Sequence, residues 1–189
     1  AVLLMPQNNP VTDNNAQVEC INSKAKDNIV SVHAAGSLTK AKQGKEMVEM
    51  YDMKNSGAKA FTDDKWSVQQ NDILKLALLY AKDFDGLIMN FPNDSSITNG
   101  GQIHEGKIST ALGLKGIPAM AEEIMIDRDI SLCEYADSKL HLSYISTKNS
   151  VSKIKKAKKE ERSRKERREV ENKQTQRKAK RKRSTERRK

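Results

Sequence analysis

Residues 71–91 read NDILKLALLYAKDFDGLIMNF, and a change of period inside them decides the fold. Ile73, Leu74, Ala77, Leu78 and Ala81 recur at three- and four-residue spacing, which puts them on one face of a helix over Asn71 to Phe84. Directly after it, GLIMNF (86–91) is a short β-rich run. A helix feeding at once into such a run is half of a βαβ unit.

Working outward, the same alternation repeats. β-rich runs fall at AVLLM (1–5), NIVSVHAAGSLT (28–39), AKAFTDD (58–64) and KLHLSYIS (139–146). Helical spacing runs from Asn14 to Lys26, with Val18, Ile21 and Ala25 on one face and Thr12 or Asp13 as the N-cap. A second helix is expected over Lys45 to Ser56, with Met47, Met50, Tyr51 and Met53 near one stripe and Gly57 as its stop. A fourth spans Pro118 to Ala136, with Pro118 near the first turn. This order predicts an α/β fold with a parallel sheet. Five strands and four helices are visible where a closed (β/α)8 barrel has eight of each. The glycine-rich stretch SSITNGGQIHEGKISTALGLKG (95–116) reads as a long loop that shapes a site.

Charge divides the chain. Up to Val151 there are 15 Lys+Arg against 19 Asp+Glu, a net of -4; from Ser152 to Lys189 there are 20 against 6, a net of +14. The basic part has no aromatic, glycine or proline and four aliphatic residues, so the hydrophobic core must come from residues 1 to about 151. Glu160 with Arg164, Glu161 with Lys165 and Glu169 with Lys173 have the spacing that supports an exposed helix from Ser150 to about Lys173. Beyond it, nearly pure positive charge predicts disorder. Nucleic acid bound there would be read without sequence preference, since no side chain can stack on a base. The alternative is a non-homologous extension. Cys20 and Cys133 form no ligand spacing and read as two buried free thiols of a cytoplasmic protein. No run is apolar and long enough for a membrane span, and AVLLMP is too short for the apolar region of an export signal.

Parallel-sheet enzymes place reactive groups at strand ends. Those ends carry Asp63 and Asp64, then Phe91 to Asp94, then His141 to Ser146. Converging carboxylates and imidazoles are what a hydrolytic zinc site needs, because the metal lowers the pKa of bound water toward ~7. Two adjacent aspartates fit that role, but they fit a cap or turn as well. His141 alone fits a structural histidine, His33 a core or barrel-lining one, and His104 an exposed loop residue.

MPQNNPVTD (5–13), GAKAFTDD (57–64), GGQIHEGKISTALGLKGIPAMAEE (100–123), RDISLCEYADSKLHLSYIST (128–147) and NSVSKIKKAK (149–158) resemble, in order and spacing, the middle of dihydroorotases. The resemblance covers residues 1 to about 158 and leaves 159–189 as a basic low-complexity tail. It implies a partial (β/α)8 TIM barrel of the metal-dependent amidohydrolase type. It also implies an activity on cyclic amide C–N bonds in pyrimidine biosynthesis, with zinc as the cofactor.

Residue by residue, the resemblance carries over poorly. The family's His-x-His pair would precede Ala1, and its catalytic Asp would lie beyond Lys158. Its Asp ligand falls on Asp64, or on Asp63 beside it, with Lys65 in place of a glycine. One of its histidine ligands falls on Phe91 and another on Tyr144. Its substrate-binding asparagine falls on Gln7. A single carboxylate without imidazole partners cannot hold Zn2+ usefully, and a tyrosine of pKa ~10 is a poor substitute at neutral pH. The expectation is a chain with no catalytic residue and no bound zinc. Its expected partners are an aspartate transcarbamoylase, which degenerate dihydroorotase-like chains accompany, a second copy of itself, or nucleic acid through the tail, and no membrane.

Overall fold

The computed structural model describes residues 1–165. Residues 1–150 form one compact unit, and a second begins at Val151.

The 71–91 stretch folds as its periodicity dictates. Helix α3 (Asn71–Asp83) buries Leu74, Ala77, Leu78 and Ala81 and turns Lys75, Leu76 and Leu79 outward. The Gly86 N–H donates to the Ala81 carbonyl at 2.7 Å and closes the turn into β4 (Leu87–Asn90). Around this pair lie β1 (Val2–Leu4), β2 (Val32–Gly36), β3 (Ala60–Phe61) and β7 (Lys139–Leu142). They make one five-stranded sheet in the order β1-β2-β3-β4-β7, every neighbour parallel. Parallel neighbours need a crossover, which supplies the helices that cover the sheet. The core is Val18, Leu38, Met50, Met53, Phe61, Leu74, Leu78 and Ile88 with their smaller neighbours. Phe84 meets the rings of Tyr51, Phe61 and Tyr80 edge-on at 5.8, 6.0 and 5.4 Å.

Several local expectations change. Helix α1 (Asn15–Ala25) is capped by Asn14, whose side chain accepts from the Gln17 N–H, and not by Thr12 or Asp13. Those two are used elsewhere: the Thr12 carbonyl accepts from Ser37, and the Asp13 carboxylate from the Ala41 N–H. Helix α2 is only Met50–Asn55, because Met47 bridges Thr39 and the neighbouring backbone bonds to Lys40 and Leu38. Gly57 ends it as expected, at φ 104, a conformation glycine adopts freely. Of the two thiols expected to be buried, Cys20 is exposed and Cys133 half-buried. Cys20 lies two residues from buried Val18, about 200° around the helix and so on its outer face.

The 95–116 segment is more than a loop. It contains α4 (Ser95–Thr98), β5 (Ile103–His104) and α5 (Lys107–Leu112), and β6 (Gly116–Ile117) pairs with β5 as a separate parallel ribbon. Strands of two residues leave no periodicity to read. Gly116 is required there, because a Cβ would sit 2.8 Å from the Glu105 backbone.

Helix α6 (Met120–Ala136) is tied to the sheet by a buried polar network. Asp129 Oδ2 accepts from the Asn90 amide at 2.7 Å, and its other oxygen accepts from Arg128 Nε at 2.9 Å. Arg128 Nη1 also donates to the carbonyls of Val68 and Gln69, at 2.8 and 3.1 Å. Burial pushes the Asp129 carboxyl up, and the Arg128 charge opposes it. The network ties the loop after β3 to α6 and to the end of β4.

A helix opens at residue 148, with the Thr147 hydroxyl accepting from the Ser150 N–H at 3.2 Å. Residues 151–165 of the second unit are helical, with the Glu161–Lys165 pair formed and Lys156 paired to Glu160 at 4.0 Å. The expected continuation to Lys173, the Glu169–Lys173 pair and the disordered end lie outside the described residues. Among the described residues, no helix is long and apolar enough to cross a membrane.

Candidate functional site

Asp63 and Asp64 follow β3 directly and do different things. Asp63 is 3% exposed, and its Oδ1 accepts the N–H groups of Leu38 and Thr39, both at 2.9 Å. Its Oδ2 accepts the Thr39 hydroxyl. Burial pushes its carboxyl above the usual range, and the Thr39 hydrogen bonds pull it back. It is a latch between the end of β3 and the loop that leaves β2.

Asp64 turns the chain with φ 55, its N–H held by the Thr62 hydroxyl at 2.9 Å. Its carboxylate collects the residues that the family resemblance singled out. The Tyr144 hydroxyl donates to Oδ1 at 2.8 Å, and the Gln7 amide donates to Oδ2. Phe91 packs edge-on against the Tyr144 ring, centroids 5.6 Å apart and planes at 90°. Four positions scattered over 138 residues of sequence therefore meet at the C-terminal ends of the strands. The carboxylate raises the Tyr144 phenol pKa further, because it accepts the proton that ionisation would remove.

The chain just beyond Tyr144 is held by a second carboxylate. Glu122, in the first turn of α6, accepts the Ser146 N–H and hydroxyl at 3.0 and 2.5 Å and the Thr147 N–H at 3.1 Å. Burial alone would push Glu122 up, but these donors hold it below the usual carboxylate range. Sequence reasoning did not single out Glu122, Asn90 or Asp129. The signal for Glu122 was present in two of the resembling segments, which contain both the AEE (121–123) and the YIST (144–147) runs.

The donor set here does not fit a zinc ion. Both oxygens of Asp64 accept hydrogen bonds, the neighbours are an amide, a phenol and an unsubstituted ring, and the phenol is held in its neutral form. The imidazoles lie elsewhere: half-buried His33 is mid-strand in β2, exposed His104 is in β5, and exposed His141 is in β7. Among the described residues, no three His, Cys, Asp or Glu side chains gather where they could hold a metal.

Comparison with known proteins agrees with this geometry on the family. The family profile described as dihydro-orotase-like matches residues 1–150. The dihydroorotase of Pelotomaculum thermopropionicum is 41% identical over 158 residues, 84% of this chain and 37% of that protein. The dihydroorotase of Syntrophus aciditrophicus is 38% identical over 160 residues, 84% of this chain and 38% of its own length. The chain thus spans under two-fifths of the curated relatives it matches. Among solved structures, the L-hydantoinase (dihydropyrimidinase) of Arthrobacter aurescens superposes with a TM-score of 0.66 at 18% identity, over 84% of this chain and 37% of that one. A D-hydantoinase gives 0.54 at 16% identity, over 84% and 35%. These two show the fold, part of a (β/α)8 barrel. With its sequence matched along the whole first unit and its strands in barrel order, the chain belongs to the dihydroorotase-like family.

Proposed function

We propose that this chain is a non-catalytic dihydroorotase-like protein, derived from a cyclic amidohydrolase of pyrimidine biosynthesis whose metal centre has become a hydrogen-bonded clamp. The observation that carries this is the state of Asp64: Tyr144 and Gln7 occupy its two oxygens, and Phe91 stands beside them without a lone pair to offer. A zinc hydrolase needs three protein ligands and an open fourth position. One carboxylate acting alone as acid or base supplies about 10²–10⁴-fold, well short of ordinary enzymes.

The test is the zinc content of the purified protein together with its turnover of dihydroorotate and carbamoyl aspartate. Substoichiometric zinc and no turnover above buffer are expected. Stoichiometric zinc with a rate that a chelator abolishes would overturn the proposal.

Without its own chemistry, such a chain acts through contacts. An aspartate transcarbamoylase is the partner this reading assigns, and gel filtration of the mixed proteins at micromolar concentration should show one complex. The net charge of +14 over residues 152–189 supports a second, separable role in binding nucleic acid. That binding should weaken steeply with salt and disappear when residues 160–189 are removed.

A further inference from the structure

Beside the clamp lies a groove of about 440 Å³ that neither Asp64, Tyr144, Gln7 nor Phe91 lines. Its walls are the loop after β2, the turn after β3 and the segment after β4. They bring Lys42, Lys45, Lys65 and Trp66 to one place. The Trp66 N–H donates to the Asp63 carbonyl at 3.1 Å, and this closed turn fixes the stretch that carries Lys65 and Trp66. Trp66 is the chain's single tryptophan and is 63% exposed, which is unusual for so large an apolar side chain.

The charge is as one-sided as the shape. Lys42 Nζ donates to the Gln7 side-chain amide oxygen at 3.4 Å and acts on the Asp63 carboxyl through its charge, and no carboxylate in the described residues forms an ion pair with Lys42, Lys45 or Lys65. The one acid in the lining is Asp63, whose oxygens are taken by Leu38 and Thr39. Three ammonium groups outside any ion pair at one cleft, against a single carboxylate, call for a multiply charged anion, and an exposed indole calls for a flat ring to stack on it. The volume suits a ligand of drug or nucleotide size.

We propose that this groove binds a nucleoside phosphate, with the phosphate held among Lys42, Lys45 and Lys65 and the base stacked on Trp66. This goes beyond the loss of catalysis and does not depend on it: Lys42 touches the clamp at Gln7, but no residue of the clamp lines the groove.

Trp66 reports on its own site. Titrating the full chain with adenosine monophosphate, exciting at the indole edge and correcting for absorption by the ligand, should give a saturable change in emission. Lys45→Ala and Lys65→Ala should each weaken binding about tenfold, as expected for loss of a charged hydrogen bond. Their circular dichroism should match the parent's, because both side chains are on the surface. Adenosine alone and inorganic phosphate alone should each bind at least tenfold more weakly than the nucleotide. The basic tail can take up the same anion, but it has no tryptophan: calorimetric heat with unchanged Trp66 emission assigns all binding to the tail and overturns the proposal. So would lysine variants that titrate like the parent, or phosphate alone matching the nucleotide.

Discussion

Two carboxylates hold the chain that leaves β7, and they do it in different ways. Glu122 takes backbone N–H groups at Ser146 and Thr147 together with the Ser146 hydroxyl. Asp64 takes only side chains, Tyr144 and Gln7. Backbone donors are present whatever residue stands at the position, so the Glu122 latch belongs to the scaffold. The Asp64 clamp exists only because particular side chains face it. Change at the second place can redirect chemistry while the first keeps the fold, which is what the proposed loss of metal ligands at an otherwise intact barrel mouth requires.

The largest expected effect breaks the scaffold side. Glu122→Ala should destabilise the protein by about 3 kcal/mol in urea unfolding, because it strands two N–H groups that were bonded to a charge. On the clamp side, Asp64→Ala should cost about 1–2 kcal/mol by the same measurement. Tyr144→Phe, which removes only the hydroxyl, should cost about 1 kcal/mol or less. An Asp64 loss as large as that of Glu122 would erase the contrast. The comparison sharpens if imidazoles are put back: Phe91→His with Tyr144→His should raise zinc affinity measurably by calorimetry, whereas Glu122→His should not.

Acid separates the carboxylates further. Glu122 is held below its ordinary range, so its stabilisation is complete above an unfolded-state pKa of about 4.3 and is lost as pH falls through the lower folded value. Asp63 and Asp129 are raised by burial, so their cost to stability is present above the raised values and fades as pH falls toward about 3.9. Glu122→Gln should therefore flatten the acid-side loss of stability measured by urea midpoints between about pH 3 and 6.

How far the sequence could be read follows from the range of each interaction. The α3–β4 step was legible because five apolar residues repeat within nine positions, and the parallel order followed from short alternating elements. The start of α2 was not, since the bridge from Met47 to Thr39 takes residues that would otherwise extend the helix. The β5–β6 ribbon was too short to carry a pattern. At the mouth, Asp64, Phe91, Tyr144 and Gln7 could be named from the family resemblance. Their meeting point could not, because Asp64 and Tyr144 are 80 residues apart and Asp64 and Gln7 are 57 apart. The Asn90–Asp129 bond, across 39 residues, left no local trace at all.

Two residues of the clamp, Asp64 and Tyr144, sit at left-handed backbone angles, φ 55 and 57. A side chain in that region costs about 1–2 kcal/mol relative to glycine. The Tyr144 hydroxyl returns about 1 kcal/mol or less, so the phenol offsets at most the lower end of the strain it sits on. A selection for stability alone, run over all residues at position 144, would then rank glycine and asparagine level with or above tyrosine, and phenylalanine below all three.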